Sequence, residues 1–76
     1  MKPTYRNVLD ALAGINDYVP SHHLPDGNGR SGCAREEVLS AMRREGLIEY
    51  GKKATNANYG WRITDAGRAA LASSAN

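Results

Sequence analysis

The side chains in this sequence that could do chemistry are few and scattered. His22 and His23 are adjacent. Neighbouring side chains point apart in a strand and stand about 100° apart in a helix, so two such rings rarely share one metal. No second set of ligands with metal spacing follows. Cys33 is the sole cysteine, too few for an internal disulfide or a Cys-based zinc site. Its expected role is that of a small buried hydrophobe. Asp26-Gly27-Asn28-Gly29 matches the opening spacing of a calcium loop, but Arg30 intrudes and no glutamate follows at the needed distance. The glycines from Gly27 to Gly32 lack the context of a phosphate loop. No Ser-His-Asp or Cys-His arrangement is suggested. The expectation is no enzyme, no metal and no cofactor.

Charge offers a different chemistry. The net charge is +2, which permits nucleic-acid binding without demanding it. For a duplex binder, the clustering of basic residues on one face matters more than their sum. A chain of 76 residues predicts one domain, 1–76. Such a domain buries only about 60% of the surface its unfolded chain exposes, so its core must be compact. No apolar run approaches the roughly 18 residues of a membrane span. The start, Met1-Lys2-Pro3-Thr4-Tyr5-Arg6, lacks the apolar core of a secretory signal. The expected setting is therefore the cytoplasm, with no membrane partner.

The elements that must position these residues follow from periodicity. Tyr5, Val8, Leu9 and Leu12 fall at spacings of three and four and share one face. This predicts a first helix within 4–14, capped by Thr4 and stopped by Gly14. Residues 16–32 hold two Xaa-Pro steps, an Asp-Gly and an Asn-Gly, so they predict an irregular loop with at most a short helical turn around Ser21 to Leu24. Helical signals return at 33–45, with Val38, Leu39 and Met42 as an apolar stripe. Ser31 or Gly32 would cap this helix and Gly46 would end it. Glu36 and Glu37 early, with Arg43 and Arg44 late, complement the helix dipole. Leu47 to Tyr50 reads as a short strand. Tyr59, Trp61 and Ile63 alternate with Gly60, Arg62 and Thr64, which reads as a half-buried strand. With a polar tip between them, 47–63 is a hairpin. Thr64 caps a last helix over 65–72, with Asp65 in its first turn. The predicted core is Leu9, Leu12, Val38, Leu39, Met42, Tyr59, Trp61 and Ile63.

Residues 37–49, Glu-Val-Leu-Ser-Ala-Met-Arg-Arg-Glu-Gly-Leu-Ile-Glu, followed by 61–71, Trp-Arg-Ile-Thr-Asp-Ala-Gly-Arg-Ala-Ala-Leu, resemble the end of a winged helix-turn-helix domain of prokaryotic and phage regulator type. There, a recognition helix runs into Gly-Leu-Ile/Val-Glu and a hairpin wing follows. The second wing strand then leads through Thr-Asp/Pro-Ala-Gly into the next helix. The resemblance implies an α+β, mainly α fold: three helices, a two-stranded β-hairpin wing and a short C-terminal helix. It departs from the family over 20–32, where proline and glycine replace a regular supporting helix.

In that family the recognition helix enters the major groove. With Val38, Leu39 and Met42 inward, the outer face here carries Glu36, Glu37, Ser40, Arg43 and Arg44, and Arg35 has to snorkel outward. The resemblance then implies Ser40 near base edges, Arg43, Arg44, Lys52 and Lys53 on phosphates, and Asn56, Asn58 and Arg62 in support from the wing. The placing of Arg6 and Arg30 is left open. Glu36 and Glu37 oppose phosphates, although glutamate can accept from cytosine. The first expectation is a DNA-binding transcriptional regulator of phage or plasmid type, acting on double-stranded DNA as a dimer. The second is a protein-binding winged helix, such as a small phage inhibitor of anti-CRISPR kind. It would meet a host complex through the 20–32 loop with Arg30, Glu36 and Glu37.

Overall fold

The computed structural model describes residues 1–32, 34–54 and 58–74. Among these the chain forms α1 (Pro3–Ala13), a 3-10 turn (Ser21–His23), α2 (Glu36–Arg44), β1 (Ile48–Lys52), β2 (Tyr59–Ile63) and α3 (Asp65–Ser74). The class is α+β, with three helices and a two-stranded antiparallel hairpin.

Helix α1 starts one residue before its expected range. Pro3 occupies its first turn, where a missing N–H costs nothing and the fixed φ suits the helix. Lys2, and not Thr4, is the N-cap, and no side chain caps this end. Gly14 follows as the C-cap. Helix α2 is shorter than 33–45. Ala34 and Arg35 are not helical, and Arg35 is the N-cap in an extended conformation, so neither Ser31 nor Gly32 caps it. The physical reason is tertiary: the Ala34 N–H donates to the Leu24 carbonyl at 3.1 Å, which holds the entry strand-like. Cys33 lies outside the described residues.

Gly46 ends α2 as expected. Its φ of +80° allows two closing bonds, Gly46 N–H to the Arg43 carbonyl and Leu47 N–H to the Met42 carbonyl, each 3.0 Å. The chain turns directly into β1, which pairs with β2 from Ile48↔Ile63 to Lys52↔Tyr59. Strand β1 runs past Tyr50, so Gly51 and Lys52 are ladder residues and not tip. At the exit of β2, the Thr64 hydroxyl accepts the Gly67 N–H at 3.0 Å, the expected cap of α3. That helix continues past residue 72 to Ser74.

The segment from 14 to 35 has little regular structure but is well tied. Val19 pairs with Trp61 on the free edge of β2 (Val19 N–H to Trp61 carbonyl 2.7 Å, Trp61 N–H to Val19 carbonyl 2.8 Å). Asn7 of α1 donates to the Asp26 carbonyl at 2.9 Å.

One cluster forms the core: Val8, Leu9 and Leu12 of α1, Leu24 of the loop, Leu39 and Met42 of α2, and Ile48, Trp61 and Ile63 of the hairpin. Fully burying such a side chain contributes roughly 1.5–3 kcal/mol before the entropy of ordering is subtracted. Val38 is only partly buried against this cluster. Tyr59 is no core residue: 56% of it is exposed. It shares a strand face with Trp61 and Ile63, but at the hairpin's far end, where the helices no longer cover the sheet.

Candidate functional site

Helix α2 and the hairpin pack on one another, and their outward surfaces meet. Ser40, Arg43 and Arg44 are exposed on α2. With Glu37 they line a shallow depression, because residues three and four apart are surface neighbours on a helix. Cross-strand pairing places Tyr50 opposite Trp61 and Lys52 opposite Tyr59, all on one face of the hairpin. Arg43 reaches that face: its guanidinium lies 5.9 Å from the Tyr50 ring centroid. The structure thus brings Arg43 of α2 and Lys52 of β1 to one side. Neither they nor Arg44 form an ion pair among the described residues.

The other expected residues separate. Arg62 is exposed on the opposite face of the hairpin, beside Glu49 in the ladder and 6.0 Å from the Tyr18 ring centroid. The Tyr18 hydroxyl in turn meets Glu49 at 3.3 Å. Lys53 is half-buried, and its N–H donates to the Asn58 carbonyl at 2.8 Å. Asn56 lies outside the described residues. Arg6 is exposed on α1. Arg35 is fully outward, 3.5 Å from Glu37, and needs no snorkelling because it precedes the helix. Arg30 closes its loop, with its N–H donating to Asp26 Oδ1 at 2.9 Å.

That Asp26 carboxylate also accepts the Asn28 N–H at 2.9 Å. Bonds from Arg30 and then Asn28 hold its carboxyl below the usual aspartate range. The group serves its own turn, as aspartate often does. Elsewhere, the Tyr5 hydroxyl donates to Glu45 at 2.7 Å, and this bond, aided by burial, holds the phenol above its ordinary range. His22 and His23 lie ring against ring at 4.1 Å. Among the described residues no three histidine, cysteine or carboxylate groups are placed to hold a metal ion. Among them, too, no helix is long and apolar enough to cross a membrane.

Sequence reasoning missed an exposed aromatic pair. Tyr50 and Tyr59 stack at 5.6 Å with an 18° interplanar angle, and Trp61 meets Tyr50 at 4.8 Å. Together with Ser21, His22 and Glu36 the three rings line a second depression. Hairpin register, counted from the Gly46 turn and the Thr64 cap, would have put the three rings on one face.

Comparison with protein-family models, curated proteins and solved structures found no match in any of the three.

Proposed function

We propose that the chain is a winged-helix module that binds double-stranded DNA, with α2 as the recognition helix and the β1–β2 hairpin as its wing. The observation that carries this reading is the convergence of Arg43, against Tyr50, with Lys52 on one side of the molecule. Cations from two elements on one surface suit a phosphate backbone. Ser40, beside Arg43 and Arg44, is the residue offered to base edges. The order of elements supports the reading, as does the single-residue bridge by which Val19 pairs with the outer edge of the hairpin. The role is regulatory binding of phage or plasmid type, and not catalysis. One module of this size buries little interface, so two copies would share a site.

The test is fluorescence anisotropy with a mixed-sequence duplex at low and near-physiological salt. Micromolar binding that falls steeply with salt is expected. The double variant Lys52→Ala/Lys53→Ala should weaken binding to all sequences and reduce the log–log salt slope by about 1 for each phosphate that a removed lysine had neutralised. Absence of binding at low salt would overturn the reading.

A second reading has its own observation. Exposed tyrosines beside a carboxylate, here Tyr50 and Tyr59 near Glu36, suit a protein partner. A small phage inhibitor of a host complex, without DNA binding, would use this surface and the adjoining loop.

A further inference from the structure

Tyr59 stands at the end of a packed aromatic group and is itself left open. Tyr50 is the centre of that group. It touches Trp61, which is 4% exposed and anchors the rings to the core. Arg43 and Tyr59 also lie against Tyr50. Tyr50 therefore has three side chains beside it, and Tyr59 stacks on it. Yet 56% of Tyr59 faces solvent. Lys52, exposed, is its cross-strand partner on the same face.

A flat ring stacked on its neighbour, with Lys52 opposite it in the ladder and Arg43 against that neighbour, matches one chemistry closely. Nucleobases offer a π-face to the ring, and their phosphates offer anions to the cations. An apolar peptide would cover the ring but leave Lys52 and Arg43 without anions. A base inside a duplex has both faces occupied, so away from a duplex end only an unpaired base offers a free face. We propose that Tyr59 is a stacking platform for an unpaired nucleobase, with Lys52 and Arg43 holding the flanking phosphates, so that the chain prefers DNA in which a duplex adjoins a single strand. This rests on the reading of the α2–hairpin side as a DNA interface. Glu36 borders the same depression from the α2 side. Its charge repels phosphates there and directs the strand toward Lys52.

The experiment compares three labelled probes by anisotropy: a blunt duplex, the same duplex with a short thymine tail, and the tail alone. The tail should tighten duplex binding roughly 5- to 150-fold, the range for stacking one base. Tyr59→Ala should remove that gain and leave blunt-duplex affinity unchanged, whereas Tyr59→Trp should keep it. Tyr59 is exposed, so the variants should melt with the parent, which circular dichroism checks. A 2-aminopurine placed in the tail should be quenched by the parent and not by Tyr59→Ala. Equal binding of blunt and tailed duplexes, or a tail preference that survives Tyr59→Ala, overturns the platform and leaves the duplex reading standing. Tight, Tyr59-dependent binding of the tail alone, with no gain from the duplex, keeps the platform and overturns the duplex reading. Failure of all three probes to bind overturns both and assigns the tyrosines to a protein contact.

Discussion

Gly67 sits in the first turn of α3, buried, with its N–H held by the Thr64 hydroxyl. In most helix interiors alanine is better than glycine by about 0.8–1 kcal/mol. A Cβ at this position would meet the Leu47 carbonyl oxygen, with the Ile63 side chain 2.9 Å away. That oxygen cannot easily retreat, because it accepts the Thr64 N–H at 3.1 Å and lies 3.0 Å from the Thr64 hydroxyl. Gly67→Ala should therefore reverse the usual order and destabilise the fold by about 1–3 kcal/mol, the scale of overpacking. Urea denaturation measures it, and a variant as stable as the parent would show that α3 is free to shift. The Thr64 cap is legible in sequence because a threonine before an acidic first turn has a local use. Thr4 also precedes an apolar stripe, but no acidic residue follows it in the first turn, and it does not cap. Pro3 behind it already fits the first turn, so the helix starts earlier and the hydroxyl has no end to cap.

Among the elements, the segment between α1 and α2 is where local signals say least. Its prolines and glycines rule out a long helix, and the short 3-10 turn at Ser21–His23 falls within the expected stretch. What they do not say is that Leu24 enters the core at 1% exposure, or that its carbonyl accepts both the Gly32 and Ala34 N–H groups. A single leucine in an aperiodic stretch leaves no pattern to read. Leu24→Ala should cost about 2–5 kcal/mol, as for a helix leucine in a core, although it lies in a loop. Thermal denaturation tests this, and a loss under about 1 kcal/mol, the scale of a surface change, would show the loop to be incidental. The hairpin shows the opposite limit. Alternation gives the parity of Tyr59, Trp61 and Ile63 correctly, since all three share a face. Parity does not say how far the helices extend beneath that face, and Tyr59 lies past their edge. The error at Tyr59 and the missed aromatic pair thus have one cause.

For the whole molecule, the main fact absent from the sequence is the join between its halves. The second half is readable because each step there is local: a stripe, a glycine stop, a register, a cap. The pairing of Val19 with Trp61 connects positions far apart in the chain, and no local pattern encodes it. Gly60 admits it, since a Cβ there would stand 2.6 Å from the Val19 carbonyl carbon. These paired amides should open only when everything opens. In hydrogen exchange, Val19 and Trp61 should match the slow amides of Leu9 and Leu39. Much faster exchange at Val19 would show that the first half detaches alone. The candidate site follows the same rule. Helical period puts Ser40, Arg43 and Arg44 on the outer side of α2, where they are exposed. Arg62 lies on the other face of the hairpin from Lys52, a matter of register that helical period does not reach. Trp61 is the only tryptophan in the sequence, and Tyr50 lies 4.8 Å from it with Tyr59 stacked beyond. Excitation taken up by those phenols can pass to the indole, whose emission then reports on whatever rests against Tyr59. The protein thus carries a built-in optical sensor at its candidate interface, and ligands can be screened on the unlabelled chain by its own ultraviolet glow.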